Sequence, residues 1–208
     1  ETDDLLVIGG VRYERTDNRL SGFETALFEE GQDLPGGGVA ADDIVIVTPV
    51  EFERDYEHWL PSLNIRYTPL PEFVMRFAGY RSLVRPNLEQ LAPRFELDEN
   101  REAVIGNPTL EPFEAWNLDA SFEYYMSNNG AITAAFFYKD IDNYVTTLVL
   151  DSPGTIFGVD YEAGETFVNG PAAEIFGIEL GFYQRLDFLP GFLDGLLVQA
   201  NYTYTNAS

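Results

Sequence analysis

The chain has 208 residues, is 45% hydrophobic and 14% aromatic, and carries a formal charge of −23, with 18 Gly, 12 Pro and no Cys. That apolar content excludes a disordered acidic tail, and 35 Asp and Glu against 12 Lys and Arg would repel a phosphate backbone, so nucleic acid is not an expected partner. A disulfide framework, a thiolate metal site and a multi-histidine site are excluded by the absence of cysteine and the single histidine, His58; no run of about 18 apolar residues offers a helical membrane span, which leaves a membrane barrel open.

Period-two alternation runs through almost every apolar stretch and predicts an all-β chain of about seven strands. The first, about 4 to 15, alternates loosely. The second, 50 to 68, sets Leu63, Ile65 and Tyr67 against Ser62, Asn64, Arg66 and Thr68, and the third, 72 to 84, sets Phe73, Met75 and Phe77 against Arg76, Tyr80 and Ser82. In the fourth, 113 to 126, Trp116, Leu118, Ala120, Phe122 and Tyr124 oppose Asn117, Asp119, Ser121 and Glu123. The fifth, 131 to 149, is apolar on both faces over its first half. The sixth, 166 to 186, opposes Phe176, Ile178, Leu180 and Phe182 to Gly177, Glu179, Gly181 and Tyr183, and the seventh, 196 to 206, opposes Leu196, Val198, Ala200, Tyr202 and Tyr204 to Gln199, Asn201, Thr203 and Thr205.

The links alternate between tight and long. Pro69-Leu70-Pro71, Ser127-Asn128-Asn129-Gly130 and a turn around Pro190-Gly191 are short, and Asn129-Gly130 is a strong hairpin signal. The long links, 16–49, 85–112 and 151–165, hold seventeen of the 35 acids and four of the 12 bases, so one rim of the sheet is acidic. This pattern predicts an antiparallel up-and-down meander with two unlike ends and no helix beyond a turn or two near Asn87 to Leu91.

A soluble sandwich alternates in the same way, so a soluble or surface-attached β-sandwich binding glycans is the alternative. Strands of a dozen residues, aromatic residues toward the ends of the apolar faces, and opposite faces of Asn, Ser, Thr, Arg and Glu favour a transmembrane barrel with a wet lumen. Seven strands cannot close such a barrel, and open edges are not tolerated in lipid, so residues 1–208 are expected to be one part of a larger barrel.

Four segments then resemble a known family. Arg85-Pro86-Asn87-Leu88-Glu89-Gln90-Leu91-Ala92-Pro93 follows one strand and Gly106-Asn107-Pro108-Thr109-Leu110-Glu111-Pro112 precedes the next; Phe137-Tyr138-Lys139-Asp140-Ile141-Asp142-Asn143-Tyr144 and Gly177-Ile178-Glu179-Leu180 come later. In order, spacing and strand context they resemble the C-terminal barrel region of TonB-dependent receptors over about 60 to 206. The resemblance implies an outer-membrane transporter of Gram-negative bacteria and not an enzyme: a plugged barrel of about 22 strands that imports an oligosaccharide, a ferric siderophore or a cobalamin-like vitamin through energy coupling. The receptor group it is most similar to, that of caulobacters and xanthomonads, often takes up carbohydrate. Expected partners are outer-membrane lipids, the small-molecule or oligosaccharide ligand, and a periplasmic TonB-type protein engaged through the N-terminal region; whether a surface lipoprotein caps the barrel stays open. Neither the plug nor the energy-coupling box has a counterpart here, and 1 to 59 fits only as a generic strand and acidic loop.

For such a barrel, ligand contacts are expected on the outer loops and upper lumen, at Tyr80, Arg81, Arg85, Asn87, Arg94, Phe95 and Arg101. An arginine fork grips carboxylate, phosphate or sugar hydroxyls, and Tyr80 and Phe95 offer stacking faces. Against this stands a plainer role: the arginines pair with neighbouring acids such as Glu89, Glu96 and Glu102 and stiffen the loop. No cofactor is expected. Asp140, Asp142 and Asn143 lack the glycine and distant glutamate of a calcium loop, and Glu29-Glu30 and Asp42-Asp43 read as solvated charges. Asp119 and Glu123 on one polar face suggest a hydrolase only weakly, since acids in a wet lumen need no catalytic explanation.

Overall fold

The computed structural model describes residues 4–28, 30–34, 37–97, 101–126, 129–156 and 159–208. The strands are β1 (Asp4–Phe28), β2 (Ile44–Leu70), β3 (Phe73–Val84), β4 (Phe95–Leu97), β5 (Glu102–Ile105), β6 (Phe113–Met126), β7 (Gly130–Asp142), β8 (Val145–Leu150), β9 (Gly154–Ile156), β10 (Val159–Tyr161), β11 (Ala163–Asn169), β12 (Ala173–Leu186) and β13 (Leu196–Ala207); a short α-helix, α1, covers Leu88–Leu91, and a 3-10 turn covers Gly191–Leu193. β1, β2, β3, β6, β7, β12 and β13 form one antiparallel seven-stranded sheet in that order, each strand beside its predecessor. Two smaller sheets, β10-β9 and β4-β5-β11-β8, complete the described strands, and a single seven-stranded meander in sequence order sets the fold apart from the Greek-key order of the sandwich alternative.

Alternation gives the sheet two unlike faces. One rung reads Leu63, Gly79, Leu118, Tyr138, Phe176 across β2, β3, β6, β7 and β12. A rung of the other face, three residues further down, reads Arg66, Arg76, Ser121, Ala135, Glu179, Thr203 from β2 to β13. The apolar face is bare: Leu5 is 61% exposed, Leu118 57% and Tyr202 59%. An apolar face of this extent, on strands that alternate with a polar face, suits hydrocarbon. It is bounded by aromatic pairs, with the Tyr13 and Trp59 rings tilted against each other at 4.9 Å and those of Phe176 and Tyr204 at 6.3 Å toward the long-loop end, and by Tyr67 and Tyr124 near the tight turns. From Tyr124 to Trp116 the strand covers about 26 Å, or about 20 Å of height at a ~40° tilt, close to the apolar band of an outer-membrane barrel. Among the described residues no helix is long and apolar enough to cross a membrane.

Strand lengths depart from the sequence reading mainly above this band. β1 and β2 continue in unbroken register from Asp4↔Thr68 to Phe28↔Ile44, so most of the expected loop 16–49 is a hairpin rising about 50 Å of strand beyond Tyr13. Charged and apolar residues mix on both faces there, because no lipid imposes alternation. The expected strand 131–149 is β7 and β8 separated by a bend at Asn143 (φ 59°), and 166–186 is β11 and β12 separated at Gly170-Pro171. Asn129, at φ 55°, makes the expected tight turn; Asn128 of that signal, Gly36 of Gly36-Gly37-Gly38 and Glu29 lie outside the described residues.

Candidate functional site

The site begins where β2 and β3 part above Ser62↔Tyr80. Tyr80 stands on the polar face with its hydroxyl directed at Asp119, beside Asn117, whose amide donates to Ser82 Oγ at 2.9 Å and to the Tyr80 carbonyl at 3.3 Å. Asn117 is buried although it is polar, because those bonds and one to the Ala115 carbonyl satisfy it. At the next level Arg81 pairs with Glu114, and Glu114 also meets His58 Nδ1. Arg85 pairs with Glu14 and donates to Thr16 Oγ1 at 3.0 Å. The Glu14 carboxylate holds the Arg85 guanidinium above its ordinary pKa.

The remaining expected site residues belong to the outer loops. Asn87 starts α1: its main-chain N–H donates to Gln90 Oε1 at 3.0 Å, and its carbonyl accepts from Gln90 and Leu91. Arg94 pairs with Glu96 at 3.0 Å, and its carbonyl accepts from Gly106 N–H. Phe95 pairs with Ile105 in the β4·β5 ladder. Arg101, in the left-handed region at φ 61°, donates to the Asp160 carbonyl and accepts from Glu162 N–H. The seven residues therefore divide into Tyr80, Arg81 and Arg85 around the upper wall and Asn87, Arg94, Phe95 and Arg101 within the loop framework.

That framework is one unit built from two long loops. β5 pairs parallel with β11, β11 antiparallel with β8, and β4 with β5, giving a four-stranded sheet above the wall. Three residues clamp it. Asn107 Nδ2 donates to the Phe167 carbonyl at 2.8 Å while its Oδ1 accepts from Thr109 N–H at 2.9 Å. Asn169 donates to the carbonyls of Glu111 (2.9 Å) and Asn143 (2.8 Å) and accepts from Glu111 N–H at 2.8 Å. Arg54, on the tall hairpin, donates to the carbonyls of Thr109 and Leu110 and pairs with Glu111 at 2.9 Å. Leu91, Ala103 and Leu110 are the buried core beneath, and Gly106 and Gly22 are places where a Cβ would collide with the Ala92 and Pro93 carbonyls. The Gly106–Pro112 segment thus docks the loops. Arg54, Asn169 and Glu14 were not among the expected residues; each acts on a segment more than fifty residues away, and only the Asn107-Pro108-Thr109 turn left a local signal.

Further down the same face the wall forms a trough of mixed lining, with Asn64, Arg66, Arg76, Asp119, Ser121 and Glu179 set among Leu6, Ile8, Ala78, Ala135 and Phe137. Arg76 pairs with Glu123. Glu123 also accepts from the Tyr125 hydroxyl at 2.6 Å. Among the described residues no group of three metal-ligating side chains converges.

By sequence, no curated protein matches the chain. By structure, it is similar to a double mutant of the Serratia marcescens hemophore receptor HasR in complex with its hemophore HasA and heme (17% identity, 98% of this chain and 31% of that one, TM-score 0.62). It is also similar to the siderophore receptor PirA of Pseudomonas aeruginosa (21%, 79% and 31%, TM-score 0.58). A mutant of the ferric enterobactin receptor PfeA of the same organism gives 17%, 95% and 36%, with a TM-score of 0.56. The chain spans about a third of the length of these receptors, which share its barrel-wall fold. A family model described as TonB dependent receptor-like, beta-barrel, matches residues 2–208, and the chain belongs to that outer-membrane family of receptors.

Proposed function

We propose that this chain is about a third of the wall of an outer-membrane receptor that imports a scarce ligand, an oligosaccharide or a ferric siderophore, by TonB-coupled transport. In this reading a plug and the remaining strands complete the barrel, and the plug side engages the periplasmic energy-coupling protein. The observation that carries it is the two-faced wall: an apolar outer face bounded by aromatic residues, an inner face whose trough holds Arg66, Arg76, Asp119 and Glu179, and a docked loop framework above the wall. Heme and siderophore receptors among the structural neighbours support the transport class.

Within that function Tyr80 and Arg85 are proposed as direct ligand contacts on the upper wall, while Arg81, opposite Trp116 in the ladder and paired with Glu114, is proposed to hold the top of β3 against β6. Asn87, Arg94, Phe95 and Arg101 set the shape of the loops that meet the ligand. The test is uptake by cells lacking the full-length receptor and by cells in which it is restored, using radio-iron siderophores and labelled oligosaccharides. One ligand class is expected to enter only with the receptor present and the inner membrane energised. Uptake that is independent of energisation, or unchanged by deletion for both classes, would overturn the proposal.

A further inference from the structure

Above Ser62↔Tyr80 the β2·β3 ladder stops, while β1·β2 and β3·β6 each run on as separate pairs. The split between them is closed by side chains. His58 of β2 sets Nδ1 against the Glu114 carboxylate of β6, which also takes Arg81 of β3. Arg85, just past β3, reaches Glu14 of β1. Glu14 stands opposite His58 in the β1·β2 ladder, so one imidazole adjoins the two carboxylates that hold the two arginines.

That imidazole is also enclosed. Its side chain is 13% exposed and that of Glu114 16%, the Tyr56 ring meets it edge-on at 5.3 Å, and Leu60, two residues along β2, is buried. A ring nitrogen facing a carboxylate carries the proton, which leaves Nε2 as a bare acceptor. Among the described residues that Nε2 is buried without a hydrogen-bond partner. It is shut in by this chain's own atoms, so the remainder of the receptor cannot reach it while the split is closed.

A second proton on this ring would make an N–H with nothing to accept it. It would also add a positive charge beside Arg81 and Arg85, whose charges Glu114 and Glu14 already balance, with Arg12 a further cation on Glu14. The protonated ring is satisfied only by turning out to water, which takes it off Glu114. We infer that His58 is a proton-operated latch: neutral, it ties the β1·β2 hairpin to β3 and β6 across the split, and protonated, it lets the split open. The ring lies one residue beyond Trp59, above the apolar band. Burial first, and then the Arg81 and Arg85 charges, hold its pKa below the ordinary value, with Glu14 opposing them. A closed state of this kind has its full stability above the ordinary histidine pKa of about 6.5 and loses it as pH falls below that. The latch belongs to the wall itself and stands whether or not Tyr80 and Arg85 touch ligand.

The test uses the full receptor in detergent micelles and two measurements. In the first, exchange of the His58 C2–H with deuterium, read by mass spectrometry against pH on the unmutated receptor, gives the midpoint of its protonation, which is expected below that of a free histidine. In the second, Leu60→Cys is placed in a receptor otherwise free of cysteine, and its maleimide reactivity is divided by that of Val84→Cys, an exposed site whose own pH dependence cancels that of the thiol. Between about pH 7.5 and about pH 5.5, one unit below an ordinary histidine pKa, the ratio is expected to rise several-fold, with about tenfold as the ceiling. His58→Gln, which still offers Glu114 a donor but takes no proton, should keep the neutral-pH ratio and lose the acid response. His58→Phe should lose the response and raise the ratio at both pH values. Heat-modifiable migration shows that each barrel has assembled. A midpoint at or above that of a free histidine would overturn the inference. So would a ratio that does not change with pH, or an acid response that survives His58→Gln.

Discussion

Asn169→Ala is expected to unlock the outer loops from each other while leaving the barrel wall intact. The Asn169 side chain makes three hydrogen bonds of 2.8 to 2.9 Å, two to Glu111 and one to Asn143, which joins the end of β11 to the segment before β6 and to the bend after β7. Each such bond contributes about 1 kcal/mol net, and because the side chain is only half-buried, water replaces part of what is lost. The loss is therefore about 2 kcal/mol, or about thirty-fold more frequent local opening. Hydrogen exchange of the full receptor should show that increase over 106–112 and 163–169 and none over β6 or β12. Asn169→Asp keeps the acceptor for Glu111 N–H, removes both donations and brings a carboxylate near the Glu111 side chain, so it should open the loops about as much. Unchanged exchange over 106–112 in both variants would refute the claim that Asn169 clamps the loops.

Other substitutions separate the faces and the ion pairs. Phe136→Arg, in the middle of the apolar band, should cost about 2 to 4 kcal/mol in unfolding from bilayers. Thr133→Arg, on the polar face and opposite Glu123 in the ladder, should be tolerated in the same assay. Gly177→Val should impair assembly, measured as the yield of folded, heat-modifiable receptor, because a Cβ there meets the Phe137 ring and lies 2.7 Å from the Tyr204 carbonyl. Arg19→Ala removes an exposed pair with Glu53 high on the hairpin and should change stability by no more than about 0.5 kcal/mol.

The alternation of β6, with Trp116, Leu118, Ala120 and Phe122 against Asn117, Asp119, Ser121 and Glu123, was legible because lipid on one side and water on the other impose opposite demands on successive residues. Above the band that demand ends. Residues 17–28 and 44–49 therefore read as part of an acidic loop, although they extend the β1·β2 ladder, which is held by main-chain bonds and by pairs such as Arg19 with Glu53. The arginine cluster from Arg81 to Arg101 was legible as a group, but its partners were not. Arg94 pairs with the expected Glu96, whereas Arg85 reaches back to Glu14 and Arg81 forward to Glu114, positions fixed by strand order and not by sequence distance. The motif from Gly106 to Pro112 marked the family before its physical role was visible. That role, receiving Arg54, Asn169 and its own Asn107, exists only once both long loops fold together.

The central claim, that this chain is a barrel wall with lipid on one face and a wet lumen on the other, is tested most directly by nitroxide scanning of β6. Because the chain has no cysteine, single cysteines at each position from Trp116 to Glu123 can be spin-labelled in the receptor in bilayers. The account predicts that labels at Trp116, Leu118, Ala120 and Phe122 collide with oxygen dissolved in lipid, while those at Asn117, Asp119, Ser121 and Glu123 do not. Oxygen accessibility that is uniform along β6, or that follows a period other than two, would contradict it.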